Sequence, residues 1–319
     1  MDQLIVWRTT NSFLILLSWV MVCFITGCSS DDNESIQWAS DPQAVRINAT
    51  FVERENGPVP RIADSEHGSV WENGDEITVC EIISNRSVNY TYNGTIWEPT
   101  IADKYLRWEE GATGMTSFAA WRPASSSING YTDFILPQDQ SGGITLADWM
   151  TARTTSASGS DGTILLAFAR QMAKVTMIVK SWNEQFEMGD EITDFRMQST
   201  SSQADVAGRD GTPIYIKSQN DNGKTKLPAL NADRTPTNVN DCPSYTAIVF
   251  PTSAQSTQLF MKCKVKGYDL TLTGIPELKA GFYYTFDITV GKAAITISNV
   301  IVNDWATGGD IEGDAPEQH

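Results

Sequence analysis

The chain has 319 residues, 41% of them hydrophobic, and carries 23 Lys and Arg against 39 Asp and Glu, a net charge of −16 with an isoelectric point near 4.5. No basic cluster interrupts this acidity, which excludes nucleic acid as a partner because phosphate binding needs a basic footprint. Acidity of this kind favours solubility outside the cell and leaves the fold open.

In chain order the first element is a leader. Arg8 precedes the apolar run Phe13 to Ile25, which ends in Ile25-Thr26-Gly27-Cys28 and gives way to the polar stretch Ser29 to Ser35. The run is shorter than the roughly 20 apolar residues of a comfortable membrane span and reads as a signal peptide over residues 1–27. Its end resembles the bacterial lipobox, where small residues let the chain lie extended in the peptidase groove and a cysteine thiol takes a diacylglyceryl group. The expectation is therefore cleavage by signal peptidase II between Gly27 and Cys28, lipidation of Cys28 with fatty acyl chains such as palmitate, and anchoring at the outer membrane. Each buried CH₂ contributes about 0.8 kcal/mol, so two or three acyl chains hold without a spanning helix. Residues 28–43, beginning with the acidic run Ser29 to Glu34, are expected as a flexible tether. The run is also similar to the serine-plus-acidic export signal of surface lipoproteins in the Bacteroidetes.

The first strand is expected over Val45 to Val52, with Val45, Ile47, Ala49 and Phe51 on one face and Arg46, Asn48 and Thr50 on the other. After it, Glu53 to Arg61 is polar and contains Gly57, Pro58 and Pro60, the composition of an exposed loop open to proteases. Strands follow at Glu76 to Ile83, Val88 to Tyr92, Thr95 to Glu98 and Ser117 to Arg122, with an Asn93-Gly94 turn joining the second and third of these. A short helix is predicted around Leu146 to Thr151, and a Gly/Ser linker at Ser156 to Gly162 marks a domain boundary. The second half gives strands at Val175 to Lys180, Ile192 to Met197, Pro213 to Lys217, Tyr245 to Pro251, Gln258 to Val265 and Asp269 to Thr273. It ends in a hairpin, Phe282 to Val290 and Ala293 to Val302, turning through Gly291-Lys292 as a type II′ turn. In its last strand Ile295 and Ile297 are out of phase with Val300 and Val302, which predicts a bulge near Asn299. The fold class is all-β, with two sandwich domains over residues 44–162 and 163–319.

Chemistry-bearing patterns are absent. After the leader only His67 and His319 remain, neither with a Cys or carboxylate at ligand spacing, and no nucleophile elbow, Walker loop or dinucleotide fingerprint occurs. Adjacent acids such as Asp190-Glu191 point to opposite faces of a strand and do not make a glycosidase pair. No catalytic residue, metal site or cofactor is assigned. Cys80, Cys242 and Cys263 read either as buried small hydrophobes or as one Cys242–Cys263 bridge plus a free thiol. Eight tryptophans follow the leader and are read chiefly as packing, with glycan stacking the alternative.

Several stretches together resemble the fimbrillin family of the Bacteroidetes, the lipoprotein subunits of type V pili. They are the lipobox at Cys28, the stretch Trp71-Glu72-Asn73-Gly74-Asp75-Glu76-Ile77 after an Arg-bearing loop, Phe168 to Val175 (FARQMAKV), and Leu278 to Tyr284 (LKAGFYY) running on to Trp305. The resemblance implies transthyretin-like topology in each sandwich and assembly with other pilus subunits by strand exchange. An Arg-specific protease removes the first strand, and a strand from another subunit takes its place. Carried onto this chain, the cut falls after Arg61, before Ile62, with Arg54 as second choice; the exchanged strand is the one bearing Val45, Ile47, Ala49 and Phe51. The candidate donor bears Ile295, Ile297, Val300 and Val302. The implied location is the cell surface, as an outer-membrane lipoprotein or fimbria, with surface glycans or proteins of host or bacterium as adhesive partners.

Overall fold

The computed structural model describes residues 38–52, 70–109, 114–124, 134–157, 162–183, 185–205, 214–216, 228–235 and 242–305. The leader, Gly27, Cys28, Arg54, Arg61 and Ile62 lie outside the described residues. The first half forms β1 (Arg46–Phe51), β2 (Glu76–Glu81), β3 (Arg86–Tyr92), β4 (Trp97–Pro99), β5 (Met115–Arg122), β6 (Phe134–Ile135), β7 (Met150–Ala157) and β8 (Thr163–Arg170). The second half adds β9 (Ala173–Trp182), β10 (Ile192–Gln198), β11 (Gln203–Asp205), β12 (Ile214–Ile216), β13 (Ala229–Asn231) and β14 (Asp233–Thr235). The last five are β15 (Ser244–Val249), β16 (Gln255–Val265), β17 (Tyr268–Ile275), β18 (Phe282–Val290) and β19 (Ile295–Asp304). The chain is all-β, as expected.

Seven strands make the first sheet in the order β1-β8-β7-β5-β2-β3-β4. β7 and β8 share only two residue pairs, Met150 with Arg170 and Thr151 with Ala169, so the β1–β8 ladder can turn away there. The sheet curls until its two edge strands, β1 and β4, approach each other. Ile77 and Val79 of β2, Tyr90 of β3 and Ile164, Leu166 and Phe168 of β8 fill the enclosed core with the inward face of β1. In the second half a five-stranded sheet, β14-β15-β9-β18-β19, packs on a four-stranded one, β13-β10-β16-β17. Phe195 of β10 stacks on Tyr245 of β15 at 3.8 Å and Phe260 of β16 meets Phe286 of β18 edge-on at 5.3 Å, so aromatic pairs join the two layers. A third, three-stranded sheet runs β12-β11-β6.

The passage between cores differs from the expected boundary. β8, expected to open the second domain, packs in the first core because its alternate residues Ile164, Leu166 and Phe168 line up with the inward face of β1. Met172 is the first residue after β8 to enter the second core. The chain also crosses earlier: Phe134, Leu136, Ala147 and Trp149 belong to the second core although they precede β7. There Gln140 is buried and its side-chain amide pairs with the backbone of Ile248 in both directions, accepting from the N–H at 2.8 Å and donating to the carbonyl at 2.9 Å.

Three local expectations are corrected. The helix around Leu146 to Thr151 is a single 3-10 turn at Thr145–Ala147, since Met150 is buried in the first core and starts β7. The Gly291-Lys292 hairpin closes through a loop of four residues, with Val290 paired to Ile295 and the Gly291 N–H donating to the Ala294 carbonyl at 3.0 Å. A two-residue turn occurs instead at Lys266-Gly267, where φ of +48° and +83° is the type I′ pattern that twists with the strands. The tether expected through residue 43 also ends sooner, because Trp38 is buried and Asp41 is hydrogen-bonded into the first domain.

Other expectations hold. A hairpin forms at Asn93-Gly94, although it too closes through four residues, with Tyr92 paired to Trp97 and the strand expected from Thr95 starting at Trp97; Gly94 adopts φ +92° and the Asn93 side chain accepts from the N–H groups of Thr95 and Ile96. The bulge falls beside Asn299: Asp287 pairs with Asn299 and Ile288 with Ile297, leaving Ser298 as the extra residue.

Candidate functional site

The site is β1 and the seat that holds it. β1 runs parallel to β8 in continuous register from Arg46 opposite Thr163 to Phe51 opposite Phe168, and β8 is its only strand neighbour among the described residues. Val45, Ile47 and Ala49 are buried, Phe51 is half-buried, and Asn48 and Thr50 face out, so the period-two pattern reaches the structure intact. Arg46 and Val52 donate their N–H groups to Gly162 and Phe168, which directs the even residues of the strand towards β8 and the odd ones to the outer edge.

That outer edge is latched at its entry. Val45 donates to the Leu106 carbonyl at 2.9 Å, and Trp108 donates to the Gln43 carbonyl at 2.8 Å. Just before it, the Asp41 carboxylate accepts from Tyr105 Oη at 2.8 Å and from the Gln43 N–H at 2.9 Å, and pairs with Arg107 at 2.9 Å. Burial works against the charged Asp41, but the Gln43 N–H, the Tyr105 hydroxyl and the Arg107 guanidinium outweigh it and hold the carboxyl below its ordinary value.

The exit of β1 is clasped by aromatic rings. Trp71 donates its indole N–H to the Ala49 carbonyl at 2.9 Å, stacks on Phe51 at 4.4 Å, and meets Trp97 and Phe168 edge-on at 5.0 and 5.3 Å. It thus fills the gap between the two edges of the curled sheet. The stretch after it explains its placement: Gly74 adopts φ +96°, which favours glycine, and its N–H donates to Tyr92. Asp75 accepts from the Glu72 N–H and pairs with Arg122 at 2.7 Å, whose guanidinium lies 5.9 Å from the Trp71 ring.

Behind Phe51 lies Arg170, the last residue of β8. Its guanidinium is 5.7 Å from the Phe51 ring and 4.5 Å from the Trp305 ring. Its Nε donates to both carboxylate oxygens of Asp148 at 3.1 and 3.2 Å, and its Nη1 donates to the Trp305 carbonyl at 3.3 Å.

The candidate donor strand is also placed. β19 is the edge of the five-stranded sheet and pairs with β18. Ile295 is buried, and Ile297, Val300 and Val302 pack half-buried on the second core of their own chain. The sequence singled out the β1 face and β19; it did not single out the Trp71 clasp, the Arg170–Asp148 pair or the Asp41 latch. Trp71 and Arg170 stood inside quoted motifs, but their roles depend on contacts made far along the chain.

Six of the eight tryptophans, Trp38, Trp97, Trp108, Trp121, Trp149 and Trp305, are buried and unavailable for stacking on sugar. Cys80, Cys242 and Cys263 are buried and not joined by a disulfide, and burial pushes the Cys263 thiol up to about 12. Among the described residues no group of three or more His, Cys, Asp and Glu comes together to hold a metal ion.

No curated protein matches the sequence. Among solved structures, a candidate cell adhesion protein from Bacteroides ovatus matches with a TM-score of 0.57 at 13% identity, covering 83% of this chain and 98% of that one. A candidate cell adhesion protein from Bacteroides uniformis matches with a TM-score of 0.55 at 16% identity, covering 74% and 93%. At such identities the likeness is one of fold. The family model described as fimbrillin-like matches residues 61–305, more than half of the chain. The chain belongs to the fimbrillin-like family.

Proposed function

We propose that this chain is a structural and adhesive subunit of a fimbria, exported as a lipoprotein acylated at Cys28 and assembled on the cell surface by exchange of β1. A protease cuts the loop after β1, after Arg61 by preference and Arg54 otherwise, and a strand of another subunit takes the vacated place. The adhesive part of this reading leans on the cell adhesion assignment of the Bacteroides structures that share the fold.

The observation that carries the proposal is the position of β1 as an edge strand with one ladder neighbour among the described residues, followed in the sequence by the polar, Gly/Pro-containing stretch that bears both arginines. Losing such a strand leaves the order of the other six unchanged. It also leaves the edge of β8 unpaired and an apolar groove exposed. Burying Val45 and Ile47 contributes about 1.5–3 kcal/mol each, together a large part of the roughly 5–15 kcal/mol that holds a domain folded. An emptied seat is therefore a strongly driven acceptor.

β19 is the candidate donor, and its bulge constrains how it could serve. With Ser298 kept and the bulge straightened into regular alternation, Ile295 and Ile297 face opposite to Val300 and Val302, so such a strand offers one pair or the other to a single groove.

The test is N-terminal sequencing and gel sizing of surface-recovered protein before and after mild treatment with an Arg-specific protease. A new start at Ile62 with a ladder of detergent-resistant multimers is expected. A chain that still begins at acylated Cys28 and stays monomeric after treatment counts against the proposal.

A further inference from the structure

We propose that the entry latch of β1 is a release control: Asp41, Tyr105 and Arg107 set how fast the strand leaves once the chain after it is cut. The proposal rests on the strand-exchange reading and adds to it what governs the departure of β1.

The second half of the chain supplies the comparison, because it repeats the first. Trp71 to Thr78 reads WENGDEIT and Phe186 to Thr193 reads FEMGDEIT. Both stretches make the same turn. Gly74 and Gly189 adopt φ of +96° and +100°, and the N–H groups of Glu72 and Glu187 donate to Asp75 and Asp190 at 2.9 Å each. Each aspartate then pairs with a cation at the end of a corresponding strand, Arg122 of β5 at 2.7 Å and Lys266 just after β16 at 2.8 Å. The neighbouring strands keep one order, β3-β2-β5-β7 in the first half and β13-β10-β16-β17 in the second.

β9 is therefore the counterpart of β1. β1 runs parallel to β8 and β9 runs parallel to β18, and Val52 and Asn183 close the two ladders by donating to the carbonyls of Phe168 and Val290. Passing over the irregularity at Lys180, Val45 and Ile47 correspond to Val175 and Met177, all four buried.

The two strands differ on their outer edges. β15 covers β9 through six residue pairs, from Ser244 opposite Ile178 to Val249 opposite Ala173, with Ile248 opposite Lys174. At the matching place in the first half Arg107 stands opposite Ala44, and among the described residues that one bridge is all that corresponds to β15. Just before it the Lys104 N–H turns back to the Ile101 carbonyl at 2.9 Å, so the chain leaves the edge of β1 at Tyr105. To depart, β9 must break a ladder on each side, whereas β1 must break the β8 ladder and the latch alone. Asp41 is the hub of that latch through Tyr105 and Arg107, and Arg107 also donates to the Gln43 side chain at 3.0 Å. The connections differ in the same sense: residues 183–185 separate β9 from Phe186, but residues 52–70, with both arginines, separate β1 from Trp71.

In the experiment all proteins lack the leader, carry R46K so that the protease spares the strand, and bear an N-terminal dye. An Arg-specific protease is applied and then inhibited, excess unlabelled peptide of residues 43–53 is added, and loss of the labelled fragment is followed by fluorescence anisotropy. R107E, which sets a like charge against Asp41, is expected to release the fragment at least about tenfold faster than the parent, and R107K within about threefold of it. V79A truncates the first core on β2, where the strand partners are Val88 and Ala120, and is expected to melt lower yet release within about twofold of the parent. Release from R107E no faster than from the parent, or release from V79A as fast as from R107E, overturns the latch while leaving strand exchange standing. No release from either the parent or R107E overturns the exchange on which the latch rests.

Discussion

Asp287 in β18 lies opposite Asn299 in β19, and the next pair, Ile288 with Ile297, passes over Ser298. Both neighbours of Asp287 are irregular here, since the β9 ladder skips Lys180 between Val179 and Ser181. The side chains of these extra segments return to Asp287: Lys180 Nζ pairs with its Oδ2 at 2.9 Å, Asn299 Nδ2 donates to Oδ2 at 3.3 Å, and Ser298 Oγ donates to its backbone carbonyl at 3.1 Å. Deleting Ser298 converts β19 into a strictly alternating strand that still turns Ile295, Ile297, Val300 and Val302 inward. The deletion is expected to cost about 1 kcal/mol or less, a shift of about 2–4 °C in Tm for a domain of this size. A thermal melt that drops by more than about 10 °C would show that the bulge itself is required.

Arg170 and Asp148 form a buried pair at the meeting of the two cores, with side-chain exposures of 4% and 10%. Truncating one partner leaves the other charged and buried, so R170A is expected to destabilise the chain by about 3–5 kcal/mol. R170K should not restore the loss, because an ammonium lacks the planar face that Trp305 and Phe51 meet. The double variant R170M/D148L, which removes both charges, is expected to be more stable than R170A. Urea denaturation of the three variants checks this, and a double variant weaker than R170A contradicts the reading.

Gln140 tests how firmly the early segment is fixed to the second core. Its amide supplies both an acceptor and a donor to Ile248 at the open side of β15. Q140A leaves two backbone groups of Ile248 unsatisfied and is expected to cost about 2–4 kcal/mol. Q140E keeps the acceptor for the Ile248 N–H but places a second acceptor against its carbonyl, and should rescue little. Equal stability of Q140E and the parent in urea would show that the donated bond carries no weight.

The latch at Asp41 gives a pH dependence whose sign follows from its lowered pKa. A depressed carboxylate contributes stability that is present above the ordinary value of 3.8 and lost as pH falls through the lower folded value. The parent chain should therefore resist urea better than D41N at pH 5, and the gap should close as the pH falls below the ordinary value of 3.8 and through the lower folded one. A gap that is the same at both pH values would mean that the carboxylate charge does not hold the entry of β1.

Strands with polar and apolar residues in clean alternation were legible from sequence, β1 and β18 among them, because burial of one face imposes that pattern directly. β8 was not, since Leu165 and Ala167 on its exposed face make the run Ile164 to Ala169 continuously apolar and hide the period. β7, reading Met-Thr-Ala-Arg-Thr-Thr-Ser-Ala, was hidden by the opposite excess of polar side chains. The bulge beside Asn299 was visible because a phase slip leaves a mark in the pattern. The site was legible only as a strand face: Arg170 reaches Trp305 across 135 positions and Trp71 reaches Ala49 across 22, distances at which spacing carries no signal.

Gln140 and its partner Ile248 are 108 positions apart, and Phe134 to Trp149 cannot be buried until the second core surrounds them. During synthesis or export, the first half of the molecule must therefore emerge and wait with an apolar stretch uncovered until about a further third of the chain, as far as Ile248, has followed. The two halves mature as one event, and a holdase that shields this stretch in the interval is the kind of helper such a chain calls for.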